Sequence, residues 1–138
     1  LFNTLAGKAI ALLGFAFKQD TGDTRDSPAI PLCEKLLGEH AKVRVHDPKA
    51  LENARIDLKD MQGDVRLVKD VYEALDGAHA IALVTQWAEY RELDFERIYN
   101  KMVKPAFIFD GRNHLEHEKL FEIGFNVFPL GKPPLKHV

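Results

Sequence analysis

The residues best suited to bind a charged ligand are three cations in two short stretches. Lys18 and Arg25 stand in GFAFKQDTGDTRDSP (residues 14–28), and Arg112 stands in DGRN (residues 110–113). Lys offers a compact charge suited to a phosphate oxygen, and Arg a planar fork for bidentate contacts. Brought together, they would make a pyrophosphate or sugar-phosphate site. The alternative for each is a solvated loop charge.

The familiar phosphate loops are not written here. The 14–28 stretch lacks G-x-G-x-x-G, so close approach of backbone to a pyrophosphate is not supported, and it lacks G-x-x-x-x-G-K-[ST] as well. A response-regulator receiver needs an acidic pair after the first strand, where this chain has Gly14-Phe15. Asp20, Asp23 and Asp26 read as caps or partners of Arg25 rather than metal ligands, because no His or further carboxylate sits at a matching spacing. His114 and His117 form only an i, i+3 pair, without zinc spacing. Cys33 lies on the apolar face of a predicted helix and reads as buried and inert. Phe15 and Phe17 read as core or loop plugs and Gly22 as a turn residue, while Trp87 would either stack on a base or form a hydrophobic lid.

Six apolar runs separated by helical segments must position these residues. KAIALLGF (8–15) has no polar alternation, as expected of a parallel strand covered on both faces. Ser27 and Pro28 read as N-cap and first residue of a helix ending near Gly38, with an irregular start at Pro31. Further strands are expected at 41–46, 65–68, 79–84, 106–110 and 125–128. The 49–64 stretch lacks a firm period and reads as loop with at most a short helix. Asp70 and Glu73 read as a capping box. Helices are expected at 92–103, capped near Asp94, and at 115–123, with Gly124 as C-cap. The tail GKPPLKHV reads as loose.

Strands alternating with helices imply right-handed βαβ units. The expected fold is therefore α/β, a Rossmann-like open, mostly parallel sheet of five or six strands with helices on both faces. Such sheets bind ligands at the carboxyl ends of their strands, near the point where strand order reverses. Function is thus confined to the loops after Leu13, His46, Val68, Val84 and Asp110.

At 138 residues the chain is one ordinary domain, and its 46% hydrophobic and 29% charged residues are those of a globular protein. A net charge of −2 gives no electrostatic argument for nucleic acid or an anionic membrane surface. The single Cys33 excludes an internal disulfide and fits a reducing compartment, so we expect a cytoplasmic location. No signal peptide or membrane span is legible. The opening LFNTLAGK, without an initiator methionine, is what a piece excised from a larger protein would show, as would trimmed ends.

Four blocks resemble one family in order: GFAFKQDTGDTRDSP, VHDP (45–48), DVYEALDGAHAIALVTQW (70–87) and KPAFIFDGRN (104–113). They are similar to the UDP-binding C-terminal domain of the UDP-glucose/GDP-mannose dehydrogenase family, across nearly the whole chain. The combined pattern G-x-x-[FY]-K-x-x-x-x-D-x-R-x-[ST] and D-x-R-N is specific, whereas residues 51–64 and the tail match poorly.

The resemblance implies that Phe17 and Lys18 contact a nucleotide-sugar, Lys18 through the diphosphate, that Arg112 binds the same substrate, and that Arg25 reaches toward NAD. It further implies a larger homo-oligomeric enzyme that oxidises UDP-glucose to UDP-glucuronate with two NAD, through a cysteine thiohemiacetal and thioester. The NAD-binding domain, central helix and nucleophilic cysteine would lie N-terminal of Leu1. Cys33 does not match the family's cysteine motif, so no catalytic residue is assigned and the chain by itself is expected to be inactive. The alternatives are the same domain of an enzyme acting on UDP-N-acetylmannosamine or GDP-mannose, and a non-enzymatic nucleotide-binding module.

Overall fold

The computed structural model describes residues 5–16 and 27–137. Strand β1 (Ala9–Leu13) is buried along its whole length, as its unbroken apolar run requires. It is followed by α1 (Ala29–Gly38), β2 (Lys42–His46), α2 (Leu51–Leu58), β3 (Asp64–Leu67) and α3 (Val71–Leu75). The second half comprises β4 (Ala80–Leu83), a 3₁₀ turn (Ala88–Glu92), α4 (Phe95–Lys101), β5 (Phe107–Asp110), α5 (His117–Ile123) and β6 (Asn126–Pro129).

The sheet runs in the order β3-β2-β1-β4-β5-β6, and every neighbouring pair is parallel. Strand order reverses between β1 and β4, so right-handed crossovers place α1 and α2 on one face and the later helices on the other. Register brings Leu13 level with both His46 and Leu83, and Leu83 level with Asp110. Four strands therefore end on one line, and the residues that follow them meet at a common edge.

Several local expectations needed correction. The short helix allowed within residues 49–64 is present as α2 and fills half of that stretch, because Ala54 and Leu58 are buried one turn apart, although its other positions are too polar to print a clear period. The predicted 92–103 helix is shorter. Leu93 is extended, a 3₁₀ turn precedes it, and α4 starts from Asp94, whose carboxylate accepts the Arg97 N–H. At α3, Asp70 accepts from Tyr72 N rather than from Glu73, so the box pattern is realised as a simple side-chain cap. Pro28, not Ser27, occupies the N-cap of α1, while Ser27 Oγ accepts the Ala29 N–H.

The tail is ordered by β6. Val127 and Leu135 exchange both backbone hydrogen bonds in an antiparallel bridge, so the tail covers backbone groups an edge strand leaves open. His137 N–H donates to Asn126 Oδ1, and its ring stacks on Phe121 at 4.1 Å. Among the described residues no helix is long and apolar enough to cross a membrane.

Candidate functional site

The central strands are joined at their carboxyl ends by a close backbone approach. Gly14, directly after β1, has φ of 93°, and a Cβ there would lie 2.5 Å from Thr85 Cβ. Only glycine fits such a position. Gly14 N–H donates to His46 O at 2.7 Å, and Thr85 Oγ donates to Ala16 O at 2.8 Å. Gly14 is thus used for packing β1 against the β4 loop, rather than for admitting a pyrophosphate.

A buried carboxylate fastens the same ends from the β2 side. Asp47 Oδ2 accepts from Phe15 N (2.7 Å), Ala16 N (3.0 Å) and Trp87 Nε1 (3.1 Å). Its Oδ1 accepts from Lys49 N and Ala50 N, both at 2.8 Å, which turns the chain into α2. Phe15 is wholly buried, as expected of a core plug. Trp87 is only 5% exposed with its indole N–H committed to Asp47, so the base-stacking alternative is excluded and the ring is a packed interior group. His114 Nε2 donates to Trp87 O, which ties the β4 loop to the loop after β5.

Beneath this layer His46 Nδ1 lies 2.9 Å from the buried Tyr90 hydroxyl. Burial lowers the His46 pKa against the opposing pull of Glu89 and Asp47. Burial likewise pushes the Tyr90 phenol far above its ordinary range. With Nδ1 unprotonated, the Tyr90 hydroxyl donates to it; that hydroxyl also lies 3.2 Å from His46 O.

DGRN forms the turn after β5, and its residues have separable roles. Asp110 is buried; its Oδ1 accepts from Arg112 N (3.1 Å), and Oδ2 from Leu115 N (2.8 Å) and His117 Nε2 (2.7 Å). Burial alone would raise its pKa, but the donors at Leu115, His117, His114 and Arg112 prevail and hold it below the ordinary value. Gly111 N–H donates to Leu83 O, and a Cβ at Gly111 would sit 3.1 Å from that oxygen. Asn113 takes a left-handed φ of 51° and donates to Leu130 O. Arg112 is held by its backbone, with an exposed side chain that pairs with no acid among the described residues.

Arg112 lines a cleft of about 360 Å³ between the start of α1 and the ends of β4 and β5. Its walls are apolar, including Pro28, Leu32, Ala82, Val84 and Phe109. A groove of about 240 Å³ beside α4 and α5 is less suited to an anion, because Arg91 there faces Glu116 at 3.9 Å. Among the described residues no group of three His, Cys, Asp or Glu is placed to hold a metal ion. Cys33 is fully buried, and desolvation raises its thiol to about 11.

Of the predicted site residues, the structure places Arg112 at this strand-end cleft, while Phe17, Lys18 and Arg25 lie outside the described residues. Sequence reasoning missed Asp47 and Asp110 as organising carboxylates, and His117 as a partner of Asp110. A signal existed for the first: Asp-Pro directly after a strand is an Asx-turn pattern. None existed for its remote donors.

The strand order, the reversal between β1 and β4 and the cleft at the strand ends define a Rossmann-like α/β domain. Residues 11–117 match the model of the UDP-glucose/GDP-mannose dehydrogenase family, UDP binding domain, and the chain belongs to that family. It is 48% identical over 151 aligned positions to UDP-glucose 6-dehydrogenase 1 of Oryza sativa subsp. japonica, covering 96% of this chain and 31% of the relative. Among solved structures, a UDP-glucose dehydrogenase from Pyrobaculum islandicum has TM-score 0.70 and 31% identity, over 88% of this chain and 26% of that one. An NDP-N-acetyl-D-galactosaminuronic acid dehydrogenase from Methanosarcina mazei Go1 has TM-score 0.78 and 27% identity, over 94% and 26%. The chain spans about a third of the length of the curated relatives it matches.

Proposed function

We propose that residues 1–138 form the nucleotide-sugar-binding domain of a UDP-glucose 6-dehydrogenase, a cytoplasmic homo-oligomeric enzyme that converts UDP-glucose to UDP-glucuronate with two NAD. The observation that carries this reading is the DGRN turn. Asp110 and Gly111 fix its backbone so that Arg112, which pairs with no acid among the described residues, lines an apolar cleft at the sheet's carboxyl edge. A cleft with apolar walls and one cation in its lining suits a ligand that is part base or sugar and part phosphate.

On this reading Arg112 binds the nucleotide-sugar, Lys18 meets its diphosphate and Phe17 packs against it. Arg25 faces NAD. The β1 turn of this chain does not fit a dinucleotide pyrophosphate, because the space beside Gly14 is filled by Thr85. NAD would accept hydride from the sugar while held mainly by the rest of the enzyme. The part played by this chain is binding: it orients the diphosphate and leaves the sugar to groups outside it. Cys33 takes no part, being buried with a raised thiol pKa.

Backbone NMR of the chain titrated with UDP tests the reading. We expect saturable shifts at Gly111, Arg112 and the 17–26 segment, with a dissociation constant of roughly millimolar, since half the cleft lies elsewhere. No shift at about 10 mM UDP, a level that would report even ~4 kcal/mol of binding, would overturn it. In the longer enzyme, NADH formation from UDP-glucose, UDP-N-acetylmannosamine and GDP-mannose in parallel identifies the sugar.

A further inference from the structure

We propose that Asp47 is a positioning residue of the nucleotide-sugar site, holding the β1 end and the β4 loop in register beside the turn that carries Arg112. The inference rests on the nucleotide-sugar reading above and deepens it. A carboxylate has two oxygens and about four lone-pair directions. Asp47 accepts five N–H donors and is 2% exposed, so its accepting capacity is full.

Those donors divide by oxygen. Oδ1 serves only Lys49 and Ala50, the turn in which Asp47 itself sits. A turn cap would need nothing more. Oδ2 serves no local group: its donors are Phe15 and Ala16, more than thirty positions earlier, and Trp87, forty positions later. Asp47 therefore holds the last described residue of the β1 turn, Ala16, from a remote strand. Thr85 grips Ala16 O at 2.8 Å from the opposite side, leaving that residue held at both N–H and C=O. Trp87, the third Oδ2 donor, also accepts from His114 through its carbonyl, one residue beyond the DGRN turn. One buried oxygen thus joins the end of β1 at Phe15 and Ala16 to the loop next to Arg112.

Asp47→Ser in this chain separates the two roles, since a serine hydroxyl can still cap the local turn but has no second oxygen. We expect UDP affinity by calorimetry or NMR to fall about tenfold, about 1.4 kcal/mol, at a temperature where the variant is folded. Amide exchange at Phe15 and Ala16 should accelerate while that at Lys49 and Ala50 stays near wild type. Leu58→Ala, a buried α2 change away from the strand ends, is the control for destabilisation; it should lower Tm and leave UDP affinity unchanged. If Asp47→Ser does not fold, Trp87→Phe removes one Oδ2 donor and should weaken UDP about threefold, a partial loss of the same coupling. Folded Asp47→Ser, or in its place Trp87→Phe, binding UDP as tightly as wild type overturns this inference alone. A wild-type chain that takes no UDP overturns it together with the nucleotide-sugar reading.

Discussion

His117 Nε2 lies 2.7 Å from Asp110 Oδ2, pairing a residue of the first turn of α5 with the last residue of β5. The other oxygen of Asp110 accepts the Arg112 N–H. The turn that exposes Arg112 is therefore braced by a side chain five residues beyond it.

That brace should be visible as acid sensitivity. Asp110 has a native pKa held below its ordinary 3.8, so the folded chain binds fewer protons there than the unfolded one. Its contribution is complete above the unfolded value and is lost as pH falls through the native one. Asp110→Asn should cost about 2–3 kcal/mol at neutral pH, because it weakens charged hydrogen bonds and turns a donor toward buried donors. Urea unfolding of wild type and variant between pH 7 and 3 should show the gap narrowing at the acid end.

A second acid-sensitive group acts at higher pH. His46 is neutral in the fold, its pKa lowered from 6.5 by burial. The stability tied to it is present above 6.5 and declines as pH falls from there toward the native pKa. Tyr90→Phe removes the hydroxyl 2.9 Å from Nδ1 and should cost about 1 kcal/mol near neutrality. Thermal melts from pH 8 to 5 should show stability declining below pH 6.5 before Asp110 titrates, and a flat profile would contradict the buried neutral imidazole.

Arg112 is exposed and held by its backbone, so truncating it should leave stability within about 0.5 kcal/mol of wild type. Arg112→Ala and Lys18→Ala should each weaken UDP binding about tenfold, the scale of one lost charge-assisted contact of ~1.5 kcal/mol. Titrations in which both variants match wild type would show the site to be elsewhere.

Cys33 offers a chemical check. A fully buried thiol raised to about 11 is a poor nucleophile, so it should react with a thiol reagent only as the chain unfolds. The purified chain given UDP-glucose and NAD should form no NADH. Detectable NADH would reopen the role of this cysteine.

Much of the architecture was legible because burial imprints itself locally. The run at Ala9–Leu13 is apolar throughout because both faces of that strand are covered. Arg112 was legible because DGRN concentrates an acid, a glycine and a cation at a strand end. The α2 helix was legible only weakly, since only Ala54 and Leu58 of its eight residues are buried. The tail's docking escaped as well, because GKPPLKHV is ordered by the edge of β6 and by Phe121, not by its own composition.

By itself, the sequence determined the order of the strands, the loops able to carry a ligand, and the blocks that mark the family. Those properties are written in runs and motifs a few residues long. Only the tertiary structure decided that Trp87 is a donor to Asp47 rather than a surface for a base, and that Gly14 admits Thr85 rather than a phosphate. It also decided that one carboxylate would gather Phe15, Ala16 and Trp87. These contacts join residues thirty to seventy positions apart. They exist because strand order places β1 between β2 and β4 with the three ending on one line, a relation no local pattern contains.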